Sequence, residues 1–138
     1  MHIDQITGTI INCAMKVHTV LGPGMLESVY EKCLKHELKK RGLAVESQVW
    51  LPVIYDGEEI EGGYKIDLLV ENQVIVELKV VEQVMEVHKA QLLSYLKLSD
   101  KRVGLLINFN VTHLRDGIRR MANNYKSSAY PASPAVLV

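Results

Sequence analysis

Two acidic residues and one lysine lie close together in a short apolar part of the sequence. Asp67 belongs to the stretch 64–70, and Glu77 and Lys79 belong to the stretch 74–80. Two neighbouring carboxylates provide the hard oxygen ligands that suit Mg²⁺ or Mn²⁺. A lysine beside them can orient an attacking water or stabilise developing charge. The residue types therefore indicate metal-assisted hydrolysis, while the simpler interpretation is a solvated sheet face with mixed charges.

Both stretches are predicted strands, because they are rich in β-branched residues and leucine and are separated by the turn-like residues 71–73. If these three residues form the loop, Val70 pairs with Val74 and Asp67 lies opposite Glu77. Like charges at directly opposed positions destabilise a sheet, so such a pair usually awaits a cation. A loop of two residues would instead place the two acids on opposite faces of the sheet.

The alternation of side chains along a strand predicts how the neighbouring residues are arranged. Ile66 and Leu68 are expected on one apolar face, and Lys65 and Asp67 are expected on the opposite face. The same register places Lys65 opposite Lys79. The charged face would then carry acids and lysines in diagonal contact, which softens the repulsion between the acids without removing it.

Three more polar side chains are candidates for the same site. Glu27 lies in the first turn of a predicted helix. It can supply a third carboxylate, although an acid at a helix N-terminus also simply stabilises the helix dipole. Gln91 and Tyr95 are four residues apart on another predicted helix and share one face. They can hydrogen-bond a phosphate or a nucleobase, although an ordinary amphipathic helix is the simpler interpretation.

The composition is typical of one globular domain. The chain has 138 residues, of which 48% are hydrophobic, and its formal net charge is zero, which suits a single domain with its own core. No apolar run approaches the roughly 20 residues of a membrane span, and the N-terminus lacks a signal-peptide pattern. Cys13 and Cys33 do not have zinc-site spacing, so we expect reduced thiols in a cytoplasmic protein. Walker, Rossmann and nucleophile-elbow motifs are absent from the sequence.

Charge is unevenly distributed along the chain. Residues 46–86 contain ten acids and two lysines, whereas residues 101–126 contain six basic residues and one acid. The acidic block suits cations and the basic block suits phosphates, while the neutral total argues against strong non-specific nucleic-acid binding by a monomer. Arg115, Arg119 and Arg120 are expected on the outer face of a last helix, where they would contact a nucleic-acid backbone.

Hydrophobic periodicity predicts an α/β (α+β) domain with the element order α-α-β-β-β-α-β-α. Residues 1–126 are expected to form this single domain, and residues 127–138 an extended or mobile tail. The predicted helices cover residues 3–21, 25–41, 86–98 and 112–124, and the predicted strands cover residues 45–55, 64–70, 74–80 and 103–109.

The first predicted hairpin has its own signals. Pro52 indicates an edge strand or a bulge, because proline cannot donate to the ladder. Asp56 and Gly57 form a strong tight-turn dipeptide. The strand that returns from this turn is weakly patterned until Tyr64.

Several short motifs, each weak alone, are specific in combination and order. Gly24, Glu27 and Tyr30 form a G-x-x-E-x-x-Y pattern, and Gln91 and Tyr95 form a Q-x-x-x-Y pattern. With the strand motifs above, they resemble the PD-(D/E)XK nuclease superfamily, and more narrowly its GxxExxY proteins and its RecB-like branch. The resemblance extends over residues 6–124 and includes the stretches 63–70, 75–79, 88–95 and 104–110.

The resemblance implies a restriction-endonuclease-like core, which is a central mixed β-sheet flanked by helices. It also implies that Mg²⁺ or Mn²⁺ is bound by Asp67, Glu77 and the Leu78 carbonyl. Lys79 would then be the catalytic lysine. One departure from the superfamily pattern is Ile66, which stands where a proline precedes the first acid.

For the remaining motif residues, the resemblance places Glu27 near the metal, where it would tune that ion or bind a second one. It places Gln91 and Tyr95 on the substrate side of the site. All the ionisable residues that the motifs require are present, which argues against a degenerate member.

These observations lead to a metal-dependent nuclease that hydrolyses phosphodiester bonds, with DNA as the expected substrate and a homodimer as the expected state. The alternative is a nucleic-acid-binding or protein-interaction module whose nuclease-like site needs a protein partner for activity. A third, weaker hypothesis is a structural homodimer in which the site is incidental.

Overall fold

The computed structural model describes residues 1–125, so the predicted tail lies outside the described residues. Its centre is a five-stranded sheet with the spatial order β1-β2-β3-β4-β5. The strands are β1 Val45–Tyr55, β2 Glu58–Val70, β3 Val74–Lys79, β4 Val103–Asn108 and β5 Ile118–Ala122. The helices are α1 Ile3–Leu21, α2 Glu27–Lys40 and α3 Glu86–Ser99, and a 3₁₀ turn covers Leu114–Gly117. The predicted α+β class, with a mixed sheet flanked by helices, is confirmed.

The sheet separates two hydrophobic clusters. One cluster joins α1 and α2 to Val76 and Leu105, and the other joins α3 to Ile75 and Leu106. Neighbouring residues of β3 and β4 therefore point into different clusters, as the two-residue period of a strand requires. Because both faces are covered, these two central strands are apolar along nearly their whole length.

β3 and β4 are the parallel pair of the sheet, and α3 connects them. The helix packs closely on β4 at Gly104, where a Cβ atom would lie 2.8 Å from Cδ1 of Leu92. A side chain at Gly104 would therefore force the Leu92 side chain to move. The absence of a side chain at Gly104 allows Leu92 of α3 to pack directly on β4.

β1 and β2 form a long antiparallel arm at one edge of the sheet. The register shifts between Leu51 and Val53, so the bulge and edge position that Pro52 predicted are both confirmed. Asp56 and Gly57 both have positive φ, 53° and 77°, as a tight hairpin turn requires. The expectation of a weak return strand was wrong, because β2 begins directly after this turn.

The predicted last helix over residues 112–124 is wrong. Its residues form the short 3₁₀ turn and then β5, which pairs antiparallel with β4. Leu114 and Met121 are buried, as the inner face of such a helix would be, but the backbone is extended around Met121. Pairing with β5 satisfies the backbone groups along the open edge of β4, and Gly117 weakens the competing helix.

Candidate active site

The hairpin of β2 and β3 has the predicted register up to the point where the acids begin. Val70 pairs with Val74 and Leu68 with Val76. Beyond that pair, side chains replace the backbone ladder. The Asp67 N–H donates to Oε2 of Glu77 (2.8 Å), and the Leu78 N–H donates to Oδ2 of Asp67 (2.9 Å). Each acid thus binds the backbone of the opposite strand, which holds the two carboxylates side by side.

The strands change direction at the same point. Leu68 packs against α1 and α2, whereas Ile66 packs against α3, so the prediction that they share one face is wrong. The reason is an interruption of the β1–β2 ladder between Ser47 and Val49, where Gln48 has φ of 54° opposite Asp67. Asp67 therefore lies at an interruption of the ladder between β1 and β2.

Both acids are removed from water without an arginine beside them. Glu77 is only 5% exposed. Burial, followed by the neighbouring Asp67 carboxylate, raises the pKa of Glu77 to about 8. Burial also raises the pKa of Asp67, against the opposing effects of the Leu78 N–H and of Lys79. The pair is therefore short of positive charge.

The charges of Glu27 and Lys79 act on this pair, as the motif spacing predicted. Burial, and then the Asp67 carboxylate, raises the pKa of Glu27 at the start of α2. Lys79 is half-buried at the end of β3, and its carbonyl accepts a hydrogen bond from the Phe109 N–H (3.0 Å). Lys65, predicted to lie opposite Lys79, instead covers the Trp50 ring of β1 at 4.6 Å.

The other two candidate site residues, Tyr95 and Gln91, lie on α3. Tyr95 is buried and stacks at an angle on Tyr64, with 5.3 Å between the ring centroids. Burial, and then the Glu77 carboxylate, raises the pKa of Tyr95 to about 12, so its phenol remains protonated. Gln91 is half-buried one turn earlier on the same face of the helix.

Sequence analysis missed two residues beside Asp67. Gln48 donates from Nε2 to Glu31 Oε1 (2.7 Å) and approaches Oδ1 of Asp67 (3.5 Å). Burial is the main cause of a raised pKa at Glu31. Glu31 follows Glu27 by four residues and so shares its helix face, which is a usable signal. The sequence around Gln48 gives no such signal, because its role depends on the break in the ladder.

Residues 4–121 match the family model of the PD-(D/E)XK nuclease superfamily. The chain belongs to the PD-(D/E)XK nuclease superfamily. No curated protein and no solved structure matches the chain. The mixed sheet with helices on both faces is consistent with the restriction-endonuclease-like fold of that superfamily.

Members of the PD-(D/E)XK superfamily generally use divalent metals such as Mg²⁺, and the donor atoms here fit such an ion. Asp67 and Glu77 each bind a backbone N–H through one oxygen, which leaves Oε1 of Glu77 for a ligand. Oδ1 of Asp67 is approached by Nε2 of Gln48 at 3.5 Å, a contact weak enough for a metal ion to replace. Carboxylate oxygens are the ligands that Mg²⁺ prefers. Within residues 1–125, however, no three His, Cys, Asp or Glu side chains are grouped closely enough to hold an ion by themselves. A metal here would need backbone carbonyls or water to complete its coordination.

The three arginines that were expected on one helix face are separated in this superfamily member. Arg120 donates to Oδ1 of Asp4 (3.0 Å), and Arg119 donates to the carbonyls of Asp116 and Ile118 (2.9 and 3.0 Å). Both lie in β5. Arg115 lies in the 3₁₀ turn and is exposed. The prediction of a shared outer helix face is wrong because the helix does not form.

The described helices also bear on the membrane question. Among residues 1–125, none is long and apolar enough to cross a bilayer.

Proposed function

We propose that the protein is a metal-dependent nuclease that hydrolyses phosphodiester bonds, with DNA as its expected substrate. The observation that carries the proposal is the crossed pair of hydrogen bonds between Asp67 and β3 and between Glu77 and β2. A buried carboxylate and a half-buried one, fixed in this way and without a neutralising arginine among residues 1–125, destabilise the fold unless a cation binds them.

Asp67, Glu77 and the Leu78 carbonyl would hold Mg²⁺ or Mn²⁺. When bound, the ion would polarise the scissile phosphate and lower the pKa of a water. Lys79 would orient that water and stabilise the charge that develops on the phosphate. Its position at the end of β3 is fixed by the Phe109 N–H, so the ammonium group is attached to rigid backbone.

Glu27 would tune the metal or help to bind a second ion, and the GxxExxY motif explains how it is positioned. Tyr30 donates its hydroxyl hydrogen to the Gly22 carbonyl and accepts a hydrogen bond from the Met25 N–H (3.1 Å). Its ring stacks on Phe109 with 4.3 Å between centroids. The tyrosine thus fastens the turn before α2. This geometry supports membership of the GxxExxY proteins.

Gln91 and Tyr95 would bind the substrate side of the site, as in the RecB-like branch. Tyr95 is the better supported of the two, because Glu77 and Asp67 both influence its pKa. A phenol that stays protonated can donate a hydrogen bond to a phosphate oxygen or to a carboxylate. Gln91 shares its helix face one turn away.

The test is cleavage of single- and double-stranded DNA and RNA with Mg²⁺, with Mn²⁺ and with a chelator. We expect metal-dependent cleavage that Lys79→Ala and Asp67→Ala abolish. Lys65→Ala is the matched control, because Lys65 is an exposed lysine on the neighbouring strand and lies over Trp50. Cleavage retained by Lys79→Ala, or lost equally in Lys65→Ala, contradicts the proposed mechanism.

The second candidate function is a site that needs a protein partner, either a second copy or another chain, and the β1–β2 arm favours it. Trp50 is 62% exposed and Tyr55 is 73% exposed. The acids around the turn, including Glu58 and Glu59, disfavour nucleic acid on this arm. Exposed apolar groups of this kind mark protein contacts.

Light scattering tests the partner hypothesis directly. A dimer is expected to dissociate in the double variant Trp50→Ser/Tyr55→Ser and to persist in the control Val20→Ser, which removes a side chain of similar exposure on α1. A monomeric wild-type protein that cleaves nucleic acid alone would contradict the need for a partner.

A further inference from the structure

A cavity of about 530 Å³ lies between the end of α1 and the segment that follows β4. One wall is the C-terminal half of α1 with Gly22 and Pro23, and the other is the segment Thr112–Arg115. We propose that this cavity binds a backbone phosphate of the nucleic-acid strand next to the bond that is cleaved. The inference rests on the proposed nuclease function and extends it by naming a substrate-binding groove.

The polar groups that line the cavity suit an anion. They are the imidazoles of His18 and His113, the guanidinium of Arg115 and the hydroxyls of Thr19 and Thr112. Among residues 1–125, no carboxylate side chain lines the cavity, although the chain as a whole has equal numbers of acids and bases. Arginine, histidine and threonine side chains together form charge-assisted and neutral hydrogen bonds to phosphate oxygens.

The basic groups are partly fixed in place before any ligand binds. Nε2 of His18 lies 2.8 Å from the Val111 carbonyl, to which it donates. This bond joins α1 to the segment after β4. The Arg115 side chain makes no hydrogen bond or ion pair with another residue in the part of the chain that the structure describes, so its guanidinium is available.

The cavity and the carboxylates are connected through two short segments. The segment after β4 begins at Phe109, whose N–H binds the Lys79 carbonyl and whose ring stacks on Tyr30. On the other side, Gly22 and Pro23 lead directly to Glu27. Because β3 and β4 are parallel, their carboxyl ends meet at this edge of the sheet, which is where ligands of such sheets bind.

This placement separates Arg115 from the other two arginines of the basic block. Arg120 is bound by Asp4, and Arg119 by backbone carbonyls. Neither lines the cavity. Only Arg115 among the three is positioned to meet a strand that passes the active site.

The experiment measures binding rather than cleavage. Fluorescently labelled single-stranded and duplex DNA and RNA are titrated with the full chain by anisotropy, in chelator, at several salt concentrations. We expect Arg115→Ala to weaken binding by about five- to tenfold and to reduce the slope of log K against log salt by about one. His113→Ala is expected to act in the same direction, and Arg115→Lys to restore part of the affinity.

Arg102→Ala is the matched control. Arg102 is also an exposed arginine, but it precedes β4, whereas Arg115 follows that strand. The control removes the same charge from the opposite edge of the sheet and is expected to change affinity less than twofold. Thermal unfolding of each variant verifies that the fold is retained.

The outcomes separate the groove from the catalytic proposal. Equal effects of Arg115→Ala and Arg102→Ala, or no salt-dependent binding of any nucleic acid, would overturn the groove even if the wild-type protein cleaves DNA. Binding that depends on Arg115, without metal-dependent cleavage, would support the groove and overturn the proposed catalysis.

Discussion

Acidic side chains are treated in opposite ways at two places in this protein. At the start of α1, Asp4 accepts hydrogen bonds from Nη2 of Arg120 (3.0 Å) and from the Tyr125 hydroxyl (3.1 Å). In the β2–β3 hairpin, Asp67 and Glu77 accept hydrogen bonds from backbone N–H groups. The first acid has a cation in contact with it, and the two others do not.

Asp4 therefore stabilises the fold, whereas Asp67 and Glu77 destabilise it. The Asp4–Arg120 pair joins α1 to the edge strand β5 and is complete within the chain. Burial raises the pKa values of Asp67 and Glu77, and the Asp67 carboxylate raises that of Glu77 further. The charge of Lys79 opposes both shifts. Such a pair supports the proposal that a cation binds here.

The largest expected effect is on the rate of cleavage, and it tests whether Asp67 and Glu77 are functional rather than structural acids. Glu77→Gln is expected to lower the rate of metal-dependent cleavage by about 10³-fold or more, because it removes a charged ligand while its amide oxygen still accepts the Asp67 N–H. Single-turnover cleavage measures the loss. Glu59→Gln, an exposed acid on the same strand as Asp67, is the control. Activity close to wild type in Glu77→Gln would show that the crossed acids are structural.

The second effect is on stability and has a defined pH dependence. The folded protein holds a proton on Glu77 up to about pH 8, whereas the unfolded chain releases it near 4.5. The folded state therefore binds more protons between these values, and the free energy of unfolding falls as pH rises through this window. Without metal, Glu77→Gln should therefore gain stability at pH 8, on the order of 2 kcal/mol.

Urea denaturation in chelator at pH 5 and pH 8 measures this gain. The difference between Glu77→Gln and wild type should be small at pH 5 and larger at pH 8. Asp56→Asn, which removes an exposed acid at the tip of the arm, is the control and should show no such pH dependence. A Glu77→Gln variant that is less stable than wild type at pH 8 would mean that the carboxylate is already compensated within the chain.

The third effect concerns added metal. If the acids await a cation, millimolar Mn²⁺ or Mg²⁺ should raise the melting temperature at pH 8 by a few degrees, as expected for a ligand that binds only the folded state. Asp67→Asn should lose this shift, while Asp4→Asn should keep it. An equal shift in both variants would indicate ion binding elsewhere.

Sequence analysis predicted the two halves of this comparison unequally. The juxtaposition of Asp67 and Glu77 could be predicted, because a three-residue loop fixes the pairing of Val70 with Val74 and strand periodicity then brings the two acids together. The interruption of the β1–β2 ladder at Gln48 could not be predicted, because it is a tertiary distortion without a local sequence signal. The acid side of the site was therefore predictable, and its surroundings were not.

The Asp4–Arg120 contact could not be predicted from the sequence for a related reason. Leu114, Ile118 and Met121 have the spacing of a helix face, and that pattern placed Arg120 outward. The open edge of β4 favours a strand there, and this long-range pairing turns Arg120 toward α1. Local periodicity cannot report a hydrogen-bonding partner that is formed only in the folded sheet.

The smallest expected effect sharpens the structural half of the comparison. Because the Asp4 and Arg120 side chains are about one-fifth exposed, breaking their pair with Arg120→Ala should cost about 1 kcal/mol of unfolding free energy. Cleavage and its metal dependence should remain at wild-type level, since Arg120 lies away from the crossed acids and does not line the cavity. Arg102→Ala is the matched control for the lost charge. If Arg120→Ala instead reduced cleavage at full stability, the arginine would belong to the substrate path, and the division between structural and functional acids would have to be redrawn.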